Sequence, residues 1–293
     1  MILSQAEVHE ASTLQQASEL MAQWGADARF LAGGTSLVVD LKTDRYRVGH
    51  VISINRIAAL RGISPADGGI RIGALTTLNQ VVISATIRER FPVLVEAARE
   101  MGSPQIRNLG TVGGNIVGAV PCADMPPVLT VMRATVRLWS PKGQRVMPIE
   151  SFFVAPRQTV RRDDEILTDI FIPDPPPRSG VAYARFGLRE ANAIAVAAVA
   201  VGLALREDGK IGEARICLNA VASTPKLVAA AEKLLAGKTL DEAALDRVTR
   251  AAVETAEPIS DLRGTADYRR HLVGIMTRRA LLTANKRAMG EKQ

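Results

Sequence analysis

Apolar positions along the chain follow two rhythms, one helical and one extended. Leu14, Ala17, Leu20, Met21 and Trp24 fall at helical spacing, with Ser12 or Thr13 placed to cap the first turn. Gly25 ends that helix. Ala28–Leu31 predicts a short buried strand running into Ala32–Leu37, and Val48–Ile54 predicts another. A turn at Asp67-Gly68-Gly69 separates Ile63 from a strand over Ile70–Ile72. Thr76 or Thr77 caps a helix over Leu78–Ile83. Pro92 suits the first turn of a helix ending at Met101, with Gly102 beyond its end. Asp124 is placed to cap Met125–Met132. Thr135–Trp139 alternates as a strand, Pro141-Lys142-Gly143 reads as a hairpin turn, and Ile166–Ile172 is a further strand.

Pro175-Pro176-Pro177 can continue neither a helix nor a central strand, so it marks the main boundary. It divides the 293 residues into an N-terminal domain, 1–177, and a C-terminal domain, 178–293. Past it, Val181–Phe186, Ala193–Leu205 and Ala214–Ala220 predict strands. Lys226–Leu235, Asp241–Thr255 and Tyr268–Ala288 carry helical spacing. Strands first and helices second is an α+β pattern.

Composition narrows the function classes. Apolar content of 47% and charged content of 23% are those of a soluble globular protein. Only 4% of residues are aromatic, so the core is aliphatic. The net charge of +7 is spread in pairs such as Arg161-Arg162 and Arg269-Arg270. No basic tract interleaved with aromatics appears, which argues against nucleic-acid binding. The 2 cysteines, Cys122 and Cys217, form no CxxC, and the 3 histidines form no short-spaced set. The chain therefore lacks the ligand patterns of an iron–sulfur cluster or a structural zinc site and carries no disulfide framework. Ala193–Leu205 is too short to span a bilayer. The opening residues show no basic-then-apolar leader. The expectation is a cytoplasmic protein.

Two glycine segments carry the candidate chemistry: Ala32-Gly33-Gly34-Thr35-Ser36-Leu37 and Gly110-Thr111-Val112-Gly113-Gly114-Asn115. Backbone N–H groups freed of side chains bind anions without a formal positive charge, and hydroxyl or amide groups beside them add hydrogen bonds. Neither segment is GxGxxG at the start of a βαβ unit, which disfavours a Rossmann site, and neither is GxxxxGK[ST], which excludes a P-loop. Paired segments suit a pyrophosphate held from both sides; taken singly, each reads as a tight turn.

AGGTSL followed by GSPQIRNLGTVGGNIVGAVPCAD resembles the FAD-binding medium subunit of the molybdenum hydroxylases, the xanthine dehydrogenase and carbon monoxide dehydrogenase family. Tyr183-Ala184-Arg185 with Arg189, Ser260-Asp261-Leu262-Arg263 and Tyr268-Arg269 extend the resemblance over nearly the whole chain. It implies an α+β fold: a vanillyl-alcohol-oxidase (PCMH)-type FAD-binding domain of two α/β subdomains, then a C-terminal domain with a three-stranded antiparallel sheet and a helical bundle. It implies noncovalent FAD here, with the molybdenum cofactor and 2Fe–2S clusters on partner subunits, in a dimer of heterotrimers with a small and a large chain. The FAD would pass electrons to an external acceptor. A stand-alone flavoprotein oxidase or reductase and a scaffold that has lost FAD are the alternatives.

The resemblance also assigns residues. Gly33, Gly34, Thr35 and Ser36, flanked by Leu31, Ala32 and Leu37, would hold the FAD pyrophosphate through backbone N–H groups. Gly110, Thr111, Gly113, Gly114 and Asn115 would form the second segment, where a Cβ on Gly113 or Gly114 would meet the ligand. Asp124 would accept from FAD hydroxyls, cap a helix, or both. Leu167 would pack beside the cofactor or in the strand core. Arg185, where relatives often have Lys, would lie near the flavin or carry a surface charge. Tyr183 and Met101 would approach the flavin or simply pack. Cys122 reads as small filler.

Overall fold

The computed structural model describes residues 6–190 and 192–291; residues 1–5 of the leader reading lie outside them. The chain opens with β1 (Glu7–Glu10), α1 (Leu14–Trp24), β2 (Ala28–Leu31), α2 (Leu37–Lys42) and β3 (His50–Ser53). The strands form a parallel sheet in the order β1-β3-β2. Helix α1 forms because its apolar stripe faces this sheet and Thr13 accepts from the Gln16 N–H.

Next come β4 (Ile63–Ala66), β5 (Gly69–Gly73), α3 (Leu78–Ile83), α4 (Ala85–Arg90), α5 (Pro92–Glu100), α6 (Pro104–Leu109), α7 (Val112–Val117) and α8 (Met125–Val131). They are followed by β6 (Thr135–Ser140), β7 (Gly143–Pro148), β8 (Phe153–Ala155), β9 (Gln158–Thr159) and β10 (Ile166–Pro173). Here β4-β5-β10-β6-β7 form an antiparallel sheet. Alternate residues of β10 face inward, with Ile170 opposite Ile72 and Val136. They join Phe91, Leu94, Ile116, Met125 and Leu129 in the main core. Thr77 and Gln80 close a capping box on α3.

The last third carries β11 (Ser179–Gly187), β12 (Ala195–Leu205), β13 (Ile211–Asn219), β14 (Lys226–Leu227), α9 (Ala231–Leu235), α10 (Glu242–Thr255) and α11 (Ala266–Ala288). The sheet runs β11-β12-β13-β14, antiparallel throughout. Its three long strands are those expected. The fourth, Lys226–Leu227, lies where helical spacing suggested a helix, because these residues pair with Leu218 and Cys217. Strand β12 is buried on both faces. Val199 and Val201 pack with Val273, Met276 and Leu281, while Ala200 and Cys217 join the main core. The third sheet is thus seated directly on α5 and α8, with Tyr183 packed against that core.

Candidate FAD site

Gly33 and Gly34 of the first glycine segment and Thr111 of the second line one cleft, but the two segments are built differently. The first follows the end of β2 as an irregular turn, with Gly34 at φ +74°. Asn55 Nδ2 donates to the Ala32 carbonyl at 2.9 Å and fixes the turn's entry. Among the described residues, the N–H groups of Gly33, Gly34, Thr35 and Ser36 donate no hydrogen bond. This row of unsatisfied donors is what an anion-binding turn presents.

The second segment is not a loop. Thr111 caps α7, and Gly113 and Gly114 lie in its first turn. The Gly113 N–H donates to Ala74 O at 2.9 Å, and the Gly114 N–H to Thr111 Oγ1 at 3.0 Å. Both donors are used by the protein, so the second segment does not repeat the first as an N–H cradle. The close approach at Gly113 is likewise to the protein: a Cβ there would lie 2.7 Å from Ala74 O. Gly114 is different. It is exposed, and an added Cβ would meet only Thr111 Oγ1. What the second segment offers is a bare surface.

The two walls meet at Gly33, whose Cβ position would lie 1.8 Å from Leu109 O. The resulting cleft encloses about 460 Å³ and is lined by Leu31–Gly34, Val38, Asn55, Arg61, Thr77 and Thr111, among others. Paired bonds from Leu78 N to Gly110 O and from Val112 N to Thr76 O hold the second wall in place. Arg157 braces both walls. Its N–H donates to Ala119 O just beyond α7, and its guanidinium donates to the buried Asp40 of α2 at 2.7 Å. Sequence reading missed Asp40 and Arg157, which stand 117 positions apart. It also missed Asn55 and Arg61, for which no motif gave a signal. Leu37 begins α2, and Leu167 lies in the main core, not along the cleft.

A second group lies where the third sheet meets α5, α7 and α8. Asp124 precedes α8, yet its side chain makes no capping bond. Its Oδ1 instead accepts from Tyr183 Oη at 2.6 Å and Arg185 Nε at 3.0 Å. Arg185 also reaches Glu100 at 3.3 Å and the Ala193 carbonyl. It is therefore no surface charge: its side chain is 7% exposed. Burial lifts the Asp124 carboxyl above its ordinary range, more than Arg185 and Tyr183 pull it down. Burial and the Asp124 charge push the Tyr183 phenol well above its ordinary value, so it stays a donor. Met101 is buried at the end of α5 and takes a 3.4 Å contact from Asn115 Nδ2. Asn115 Oδ1 is buried without a partner among the described residues. This orphaned acceptor, like the unsatisfied N–H row, fits a bound polar ligand.

Cys122 stands next to this group, half-buried. Burial, and then the Asp124 charge, raise its thiol pKa. Cys217 is fully buried, its pKa pushed up to about 12 by desolvation. Iodoacetamide at neutral pH is therefore expected to label Cys122 more slowly than an unstructured thiol. Cys217 should label only on unfolding. Mass spectrometry of a labelling time course checks both, and labelling of native Cys122 as fast as a free thiol contradicts the buried setting.

Residues 4–175 match the FAD binding domain in molybdopterin dehydrogenase, and residues 182–284 match the CO dehydrogenase flavoprotein C-terminal domain. The chain is 35% identical to the carbon monoxide dehydrogenase medium chain of Hydrogenophaga pseudoflava, over 97% of this chain and 98% of that one. It is 33% identical to the xanthine dehydrogenase FAD-binding subunit of Escherichia coli O157:H7, over 98% and 99%. The fold superposes on reconstituted CO dehydrogenase from Oligotropha carboxidovorans with a TM-score of 0.94 at 35% identity, covering 98% of this chain and 100% of that chain. Among the described residues, no helix is long and apolar enough to cross a membrane. With an open donor row at the cleft and matches over both halves, the chain belongs to the FAD-binding medium subunits of the molybdenum hydroxylase family.

Proposed function

We propose that this chain is the electron-transfer subunit of a cytoplasmic heteromeric hydroxylase or dehydrogenase. A small partner carrying 2Fe–2S clusters delivers electrons to noncovalently held FAD on this chain, and an external acceptor removes them. A large partner carrying the molybdenum cofactor oxidises the substrate. The working assembly is a dimer of heterotrimers, and residues 1–177 and 178–293 are the two domains of this subunit.

The observation that carries the reading is the row of N–H groups from Gly33 to Ser36 that donate no hydrogen bond among the described residues, beginning in a cleft also lined by Thr111 of the second segment. FAD supplies the redox chemistry when bound; the protein supplies position and field. Gly33, Gly34, Thr35 and Ser36 donate to the pyrophosphate, with Leu31, Ala32 and Leu37 shaping the turn. Arg61, the one cation among the described residues lining the cleft, offsets the diphosphate charge. Gly110, Thr111, Gly113, Gly114 and Asn115 form the opposite wall. Met101, Asp124, Tyr183 and Arg185 border the flavin, and Leu167 supports that region from the core. Asp124, Tyr183 and Arg185 point at one another, which suits a relay that holds charge steady better than a site that moves protons.

The test is purification of the native assembly, followed by an absorbance spectrum, metal analysis and subunit mass determination. Flavin, 2Fe–2S iron and molybdenum in one preparation, with the flavin released by acid from this chain, are expected. A single-chain flavoprotein with its own turnover, or a colourless chain that takes up no FAD, overturns the proposal.

A further inference from the structure

The parallel pairing of β1 with β3 gathers three metal-ligating side chains far from the glycine segments. Alternation along β1 places Glu7 and His9 on one face. The register sets His50 directly opposite Glu7. His9 Nε2 lies 3.0 Å from His50 Nδ1. Glu7 carboxylate oxygens lie 3.9 Å from His9 Nδ1 and 3.9 Å from His50 Nδ1. One ligand atom from each of the three can be chosen so that all lie within 4.8 Å of one another. Trp24, at the end of α1, stacks on both imidazoles, 4.1 Å from His9 and 4.2 Å from His50. The indole fixes the ring planes, so little rotamer entropy is left to lose when a ligand binds.

We propose that Glu7, His9 and His50 form a binding site for a divalent d-block cation of the zinc or copper(II) class. Two imidazoles and one carboxylate are the donor set such ions take, with water at the remaining position. Tetrahedral zinc with Zn–N bonds of about 2.0–2.1 Å holds two nitrogens roughly 3.3 Å apart. The imidazole pair therefore needs to open only slightly. Without metal, one proton sits between the two rings, since one nitrogen must donate and the other accept. A cation takes that place, and the proton moves to the other ring nitrogen of the same imidazole, which stays neutral. Hard magnesium or calcium ions prefer all-oxygen shells and are excluded by the two nitrogens.

The site lies at the start of β3, level with Ala28, whereas the first glycine segment follows the other end of β2. Its consequence is therefore structural. β1 has four residues and, among the described residues, pairs with β3 alone. A cation bridging Glu7 and His9 to His50 fastens this edge strand, and because it binds the folded chain it raises the melting temperature.

The experiment uses the full chain without a polyhistidine tag, stripped with chelator and titrated with zinc chloride. Calorimetry is expected to show one zinc per chain with a dissociation constant on the order of micromolar, accompanied by a rise in melting temperature that chelator reverses. The zinc absorption edge should report a nitrogen and oxygen shell containing imidazole. His50→Ala should weaken binding by roughly 100-fold and Glu7→Gln by about tenfold, with flavin content unchanged. Glu7 is largely exposed, so Glu7→Gln keeps the test valid even if His50→Ala disturbs the Trp24 stack. No saturation by about 1 mM zinc, a sulfur-containing shell, or equal affinity in wild type and Glu7→Gln overturns the proposal.

Discussion

Replacing Gly33 with alanine is expected to leave the purified protein nearly colourless and measurably less stable. The added Cβ would lie 1.8 Å from Leu109 O and 2.6 Å from its carbonyl carbon. These are backbone atoms, so no rotamer change relieves the clash. The chain at Leu109–Gly110 is held by Gly110 N to Ile106 O at 2.7 Å and by Leu78 N to Gly110 O at 2.9 Å. Either the first turn or this corner must move, and both are walls of the cleft. Overpacking of this kind costs about 1–3 kcal/mol, and each 1.4 kcal/mol lost from the bound state is roughly tenfold in affinity. Bound flavin should fall to about a tenth or less of the wild-type content. Gly114→Val is the companion. Its Cβ would lie 2.8 Å from the Thr111 hydroxyl that caps α7, so the cap is disturbed but no core side chain or other backbone is struck, while the bare surface at Gly114 disappears. Flavin absorbance together with thermal melting separates the two: Gly33→Ala should lose flavin and melt well below wild type, and Gly114→Val should lose flavin with the smaller fall in melting temperature that a disturbed helix cap brings. Full flavin occupancy in Gly33→Ala at an unchanged melting temperature would mean that the meeting of the two walls does not shape the site.

That contrast between the two glycine segments was not legible in the sequence, for a physical reason. Val112–Val117 contains Gly113 and Gly114, each about 1 kcal/mol worse than alanine in a helix. Local preference therefore argued for a loop. The helix forms because Thr111 caps it and Val112 and Ile116 are fully buried. The same override appears at Lys226–Leu227, where apolar spacing favoured a helix and pairing with β13 prevailed. Longer elements gave clearer signals. The expected strands at 181–186, 193–205 and 214–220 match β11, β12 and β13 closely, since their apolar runs are set by burial between a helical layer and the main core. The metal-ligating group on β1 and β3 left no trace, because His9 and His50 are 41 positions apart and only the parallel register unites them. Asp124 was visible as a residue, but its partners Tyr183 and Arg185 lie 59 and 61 positions away. Its cap preference pointed to the wrong neighbour.

That relocation of Asp124 leads to the second large effect. Asp124→Ala is expected to destabilise the chain by about 3 kcal/mol, toward the lower end for breaking a buried ion pair. Its side chain is 6% exposed and that of Arg185 is 7%. Removal leaves the Arg185 guanidinium buried with Glu100 and the Ala193 carbonyl, and leaves the Tyr183 hydroxyl without its acceptor. Because the pair joins the start of α8 to β11, the loss also loosens the seat of the third sheet. Asp124→Asn should be much milder, since the amide oxygen still accepts a hydrogen bond and the site no longer buries an anion. The pH dependence tells the two causes apart. Burial raises the Asp124 pKa in the folded chain above its unfolded value, so the folded state holds this proton more tightly. Its contribution to stability is complete below the ordinary carboxylate range and shrinks as pH climbs through the folded value. The stability of wild type relative to Asp124→Asn should therefore be greatest in acid and decline toward neutrality. Urea unfolding of the three proteins between acid and neutral pH measures this. If Asp124→Ala unfolds at the wild-type urea concentration, or if the wild-type advantage over Asp124→Asn grows as pH rises, burial of the carboxylate is not the dominant force at this joint.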